Sequence, residues 1–228
     1  PDPEGKGAAR TTVDAPAQAV PQLPSASLTE FGLRAFAGFD TIANVDGVQP
    51  AFGFAARFEA RKFDSLFAPW VEGGLHATIY DVPSAGSSKE DSETGNLWDI
   101  ALRGGVDIHP LRTRWVGVGP LVGYRHLHWR ELEKSRMLQG VDIGGQVHFR
   151  TEEAATKRPA FDAIGYAFLQ TAGLADEANR SFLGLLMSAG VGSTNSFRVF
   201  AKFEGCASSP GTCFPRQLHG SAGLGGAF

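Results

Sequence analysis

Residues 98–109 read WDIALRGGVDIH, and their two interleaved rows have opposite chemistry. One row is Trp98, Ile100, Leu102, Gly104, Val106 and Ile108; the other is Asp99, Ala101, Arg103, Gly105, Asp107 and His109. A period of two belongs to a β-strand, whose successive side chains point to opposite faces. The apolar row carries no charge, while the polar row mixes both signs with small residues. Each row therefore faces a different medium.

The same pattern recurs along most of the chain. Phe31, Leu33, Ala35, Ala37 and Phe39 alternate with Glu30, Arg34 and Asp40, and Phe52, Phe54, Ala56 and Phe58 alternate with Arg57, Glu59 and Arg61. Val71, Leu75 and Ile79 oppose Glu72, and Val116, Val118, Val122 and Tyr124 oppose Arg125. Val141, Ile143, Val147 and Phe149 oppose Asp142 and Arg150, and Phe197, Val199 and Phe203 oppose Arg198, Lys202 and Glu204. Segments 160–171 and 181–192 blur the alternation, because Ile164, Tyr166, Phe168, Phe182 and Leu186 make both faces partly apolar. Residues 217–228 form a tenth segment, with Leu218, Gly220, Ala222, Leu224, Gly226 and Phe228 on its uncharged row.

Segments of roughly 9 to 11 residues are long enough to cross a bilayer when tilted. A soluble β-sandwich also alternates, but its polar row faces water and has little use for so many glycines. An uncharged row in every segment, set against small and charged residues, suits a barrel with lipid outside and a narrow polar lumen inside. The expected fold is all-β: an antiparallel up-and-down transmembrane barrel of about ten strands over residues 29–228. Composition agrees, with 29 glycines and 17 phenylalanines in 228 residues. No apolar run is long enough for a membrane helix, and a mean hydropathy of −0.11 is compatible with alternating strands. A formal charge of −3 without a basic patch gives no reason to expect nucleic acid as a partner.

If the first strand runs outward, the connections near 42–50, 81–96, 127–139, 173–180 and 205–215 are expected to be mostly longer than those on the other rim. Phe149, Phe161, Phe197 and Phe228 are expected to form one aromatic girdle, and Phe39, Phe52, Trp98, Tyr124 and Phe203 the other. Pro120 lacks a ladder donor, so a bulge is expected there. Residues 1–28 contain five prolines and no periodicity, and read as an extended periplasmic arm lying on the barrel or on a partner. The chain begins at Pro1, as expected of a processed form whose export signal has been removed. Cys206 and Cys213 flank ASSPGT, a loop able to fold back and join them as a disulfide in an oxidising compartment.

With these features the chain resembles a small outer-membrane β-barrel protein of a Gram-negative bacterium. The ending L-x-G-x-A-x-L-x-G-x-F resembles the signal read by the barrel-assembly machinery, which implies recognition through Leu218, Leu224 and Phe228; Gly226 departs from the usual bulky residue. The resemblance implies contact with outer-membrane lipid or lipopolysaccharide and both termini in the periplasm.

Arg34, Arg57, Glu59, Glu72, Asp99, Arg103, Asp107, Arg125, Asp142 and Arg150 all fall on the polar rows. A selective pore carries rings of one sign, so the near balance of signs predicts a lumen closed by paired charges. His219 and Ser221 form an H-x-S pair similar to that of the lipid A deacylases among small barrels. A nucleophilic serine needs a base and a third, orienting group. No carboxylate follows the pair and its row points into the lumen, so polar packing is the expectation and catalysis the alternative. Asp81, Glu90, Asp91 and Glu93 with His126 and His128 loosely resemble the outer-rim site of the omptin proteases. His126 and His128 share one side of a strand as candidate metal ligands, without a third ligand in the sequence. Gly117-Val-Gly119 precedes Pro120 and no helix, so it is not a nucleotide loop. The expectation is a non-enzymatic anchoring or accessory barrel that docks a partner protein and holds no cofactor. The alternatives are a lipid-modifying hydrolase and a narrow, porin-like channel for small solutes.

Overall fold

The computed structural model describes residues 27–43, 45–62, 65–83, 92–109, 116–131, 134–151, 159–172, 179–192, 194–208, 213 and 216–228. Ten strands follow one another: β1 (Ser27–Ile42), β2 (Gln49–Lys62), β3 (Phe67–Pro83), β4 (Ser92–Ile108), β5 (Val116–Glu131), β6 (Lys134–Arg150), β7 (Phe161–Ala172), β8 (Arg180–Val191), β9 (Phe197–Cys206) and β10 (Arg216–Ala227). Each pairs antiparallel with its sequence neighbours, and β10 closes the sheet on β1 from Gly32↔Ala227 to Thr41↔Leu218. Phe31 and Phe228 finish the seam by exchanging backbone hydrogen bonds of 3.0 and 2.8 Å. Closure leaves no sheet edge, which hydrocarbon would not tolerate.

The uncharged rows form the outer surface. Phe31, Leu33, Phe54, Val71, Ile100, Leu102, Val122, Ile143, Leu185 and Leu224 are all exposed there. On β4 the uncharged outer row Trp98–Ile108 spans about 25 Å at a rise of ~3.3 Å and a tilt near 40°, the height of an apolar belt. The outer row turns polar beyond it, along Asn96, His126, Gln139, Thr171 and Ser181. Phe149, Phe161, Phe197 and Phe228 are exposed toward the rim where β1 begins, with Phe52, Trp98, Tyr124 and Phe203 exposed farther along the barrel; Phe39 is half-buried.

On β7 and β8, Ala163, Ala167, Leu169, Leu183 and Leu185 look outward, while Ile164, Phe168, Phe182 and Leu186 are buried inside. Their alternation blurs because part of the lumen is aromatic and aliphatic.

Two expectations need correction. Loop length does not separate the rims: only residues 132–133 join β5 to β6, whereas 151–160 join β6 to β7. Residues expected in long loops continue as paired strand, giving β3 to β6 lengths of 16–17 residues against 10–12 for β7 to β10. The extensions are held from within, where Ile42, Tyr80, Leu97, Leu127, Trp129 and Leu138 form one apolar cluster. Pro120 makes no bulge either. It pairs in register with Gly145 of β6, and the β4–β5 ladder lacks pairs between Gly105↔Leu121 and Ile108↔Val118 without changing register. The missing donor is absorbed by that gap; the β1–β10 seam instead shifts register at Thr41/Ile42. The arm 1–26 and the acids Glu90 and Asp91 lie outside the described residues.

If the outer rows face lipid, Leu102→Arg lowers the unfolding free energy in lipid vesicles by about 2–4 kcal/mol, the cost of a midplane arginine. Chemical denaturation followed by tryptophan fluorescence measures this, with Val48→Arg, in the loop after β1, as a near-neutral control.

Candidate functional site

The lumen holds the chemistry of this chain. Near its centre, five strands converge on one charge network. Arg125 donates to Glu204 at 2.9 Å, Arg103 donates to Asp142 at 3.0 Å, and Arg103 lies 3.5 Å from Glu204. Arg216 on β10 donates to Asp99 on β4, and Arg125 lies 3.7 Å from Asp99. Gln170 and Tyr166 add two donors: the amide donates to Asp142 at 3.3 Å and the phenol to Glu204 at 2.8 Å.

The aromatic residues of β7 and β8 belong to this network. Tyr166, Phe168 and Phe182 stack with interplanar angles of 17–18°. The guanidinium of Arg103 sits 4.2 Å from the centre of Phe168, and that of Arg125 lies 5.3 Å from Phe168 and Phe182. Arg57 covers Trp70 at 4.3 Å. An aromatic face attracts a cation while excluding water, so these rings hold charge that carboxylates alone would leave partly bare.

A second polar group occupies β1, β3 and β10. His219 donates through Nδ1 to Asp40 at 2.9 Å, and its Nε2 lies 3.0 Å from the Ser221 hydroxyl. The other oxygen of Asp40 accepts from His76 Nε2 at 2.9 Å and from Thr78. Nδ1 of His76 faces Arg216 at 3.0 Å; a guanidinium only donates, so this nitrogen accepts. Asp40 is the carboxylate missing beside the H-x-S pair in sequence, brought from β1 by the barrel seam. Gly38 makes room for the pair, because a Cβ there would strike Ser221 and the Gly220 carbonyl.

A third group lies toward the other rim. His148 meets Asp107 at 2.9 Å through Nδ1 and Asp162 through Nε2, while Gln146 donates to Asp107 at 2.6 Å. Arg150 donates to Glu59 at 3.1 Å and lies 4.0 Å from Asp107. Arg34 pairs with Glu72, which Arg57 approaches at 3.8 Å.

Among the described residues, two sets have donor atoms within 4.8 Å of one another: Asp40, His76 and His219, and Glu59, Asp107 and His148. In the first, both imidazoles are committed by hydrogen-bond direction; in the second, the Arg150 guanidinium already supplies a cation. Neither arrangement needs a metal.

His126 and His128 are on the outer face, in register with Ile100 and Trp98 of β4, and bond to Gln139 at 3.3 Å and Ser135 at 2.7 Å. They do not meet the lumen clusters. Cys206 and Cys213 form a disulfide with a Cα–Cα distance of 5.7 Å. Leu218, Leu224 and Phe228 are exposed on the outer face.

No protein-family model and no curated protein sequence matches the chain. Among solved structures it is similar to the β-domain of the Bordetella autotransporter BrkA, with 13% identity and a TM-score of 0.45 over 88% of this chain and 98% of that one. It is similar to the translocator domain of the autotransporter NalP from Neisseria meningitidis, with 12% identity and a TM-score of 0.42 over 91% and 90% of the two chains. A third likeness is to CdiB from Acinetobacter baumannii, with 7% identity and a TM-score of 0.26 over 88% of this chain and 60% of that one. These likenesses concern the barrel alone and assign no role to a lumen residue.

Glu204 is the carboxylate shared by Arg103, Arg125 and Tyr166, and removing it strands buried cations. Glu204→Ala therefore lowers stability by about 3–5 kcal/mol, whereas Arg34→Ala, at a partly hydrated pair, costs about 0–1 kcal/mol. Equilibrium unfolding of both variants in the same vesicles checks the difference.

Proposed function

We propose that this chain is an integral outer-membrane barrel acting as an anchoring or accessory component that docks a partner protein, and that its lumen does not conduct. The filled lumen carries this reading. In support, an apolar cluster lies inside the end where β3 to β6 are extended, and matched charges with stacked rings occupy the middle. The lumen cavity beside Glu72, His76, Asp99 and Arg216 measures about 50 Å³, room for a few waters. A conducting, selective pore is built around an open path with charges of one sign, whereas the described residues of this interior are packed and carry both signs.

The outer-membrane assignment rests on the apolar belt around a closed barrel and on the Cys206–Cys213 bridge, which fits an oxidising compartment. Both ends of the barrel, Ser27 and Ala227, lie at one rim, which we place in the periplasm. In this reading the arm 1–26, two residues shorter than expected because Ser27 and Leu28 pair in β1, reaches the partner protein, and the exposed Leu218, Leu224 and Phe228 serve recognition by the assembly machinery. The polar border around Asn96, His126 and Gln139 meets lipopolysaccharide headgroups.

Planar-bilayer recording tests the closed lumen. The wild-type barrel is expected to give no steps above the background of small closed barrels, and Arg103→Ser/Arg125→Ser, which removes two plugging side chains, to give more. Frequent large openings of the wild type would overturn the reading in favour of a channel. Neutron contrast with deuterated detergent should show a belt around the outer rows; its absence would overturn the membrane assignment.

A further inference from the structure

We infer that Ser221 is an activated nucleophile toward small acyl donors, with His219 as its base and Asp40 as the group that orients the imidazole. Three strands assemble the relay: Ser221 and His219 come from β10, Asp40 from β1, and the groups that hold Asp40 from β3. The Asp40 carboxylate can only accept, so Nδ1 of His219 donates to it at 2.9 Å, and Nε2, 3.0 Å from the Ser221 hydroxyl, is the acceptor when the ring is neutral. That direction leaves Nε2 able to take the serine proton, the arrangement nucleophilic catalysis requires. Asp40 cannot turn away, because His76 and Thr78 bind its second oxygen and Arg216 fixes His76 in turn. A serine that merely filled space would need none of this ordering behind the imidazole.

The surroundings supply the remaining parts. The strand ladders on both sides of Ser221 engage the local backbone, so an oxyanion must be stabilised by a side chain. Lys202 is the register partner of Ser221 on β9 and faces the same lumen, where its ammonium lies 3.7 Å from Glu204. An ammonium at that position can stabilise charge developing on a carbonyl oxygen. Water reaches this side of the lumen: the side chains of Arg34, Arg57, Glu72 and Lys202 are 13–27% exposed, far above the central network. The cavity of about 50 Å³ is lined by Phe36, His76 and Lys202, neighbours of the relay, and not by Ser221, His219 or Asp40 themselves. The Phe36 and His76 rings lie 6.0 and 4.3 Å from that of His219. A space of that size admits a group of about acetyl size and no long acyl chain. The substrate class is thus a short-chain ester arriving through the wet side of the lumen, and not a membrane lipid.

In the reaction, Ser221 Oγ bonds to the carbonyl carbon as its proton passes to Nε2 of His219. The bond to the leaving alcohol breaks, and that alcohol takes the proton. Water then attacks the acyl-serine, giving its proton to His219 and releasing the acid, while the proton on His219 returns to Ser221. Ester and water become acid and alcohol, with no other reagent consumed.

The test uses the folded barrel in detergent micelles, with methanesulfonyl fluoride as a label and p-nitrophenyl acetate as a substrate. Sulfonylation joins Ser221 Oγ to sulfur, expels fluoride and passes the serine proton to His219. The expected result is an adduct mapped by peptide mass spectrometry to Ser221, with ester hydrolysis lost in Ser221→Ala. His219→Gln should lower both rates by about 100-fold or more, the scale of general-base catalysis. Asp40→Asn, which keeps the size of the group, should act in the same direction if its heat-modifiable gel migration shows a folded barrel. An unlabelled Ser221, or labelling of His219→Gln at the wild-type rate, would overturn the inference. An adduct without ester turnover would overturn the substrate class.

Discussion

With β10 bonded to β1, every strand has a neighbour on both sides, and the chain can bury its backbone polar groups in hydrocarbon. That closure also encloses ten inward rows in one narrow space. Ionisable side chains placed there have little bulk water, and each must find an opposite charge, a hydrogen-bond partner or an aromatic face. The interior follows from this requirement. Arg103, Arg125 and Arg216 are spread among Asp99, Asp142 and Glu204, and the stacked rings of β7 and β8 cover two of the guanidiniums.

The barrel is uneven because its interior is uneven. Around β3 to β6 the inner rows end in Tyr80, Leu97, Leu127, Trp129 and Leu138, which pack on one another and carry the strands beyond the apolar belt. Around β1, β2, the start of β3 and β9 the inner rows keep Arg34, Arg57, Glu72 and Lys202, which retain some water. One side is a plug and the other a hydrated recess. The proposed anchoring role depends on the plug, and the proposed reactivity of Ser221 depends on the recess, so the two can coexist in one barrel.

Much of this was legible in residue order because a strand writes its two faces as odd and even positions. Parity alone separates Trp98 and Ile100 from Asp99 and Arg103, and it puts His219 and Ser221 on the inward row. Loop lengths were less legible. Leu127 and Trp129 continue the strand because they have an inward cluster to join, and that cluster includes residues from β1, β3, β4 and β6. Tyr166 and Phe168 blurred the alternation for a similar reason: their value lies in covering Arg103 and Arg125, which belong to other strands. Pro120 illustrates the converse, since a missing donor can be absorbed by a local gap in one ladder as readily as by a bulge.

By itself, then, the sequence determined that this chain is a β-barrel with an uncharged outer surface, which strand positions point inward, and that its inward charges nearly balance. Each of those properties is local or additive, set by a residue's place in a two-residue repeat. Only the tertiary structure decided which charges meet. Asp40 and His219 are 179 positions apart, yet hydrogen-bond at 2.9 Å because the β1–β10 register sets Asp40 directly opposite His219. A pairing across the closing seam depends on register around the whole barrel, and alternation along a single strand cannot encode it.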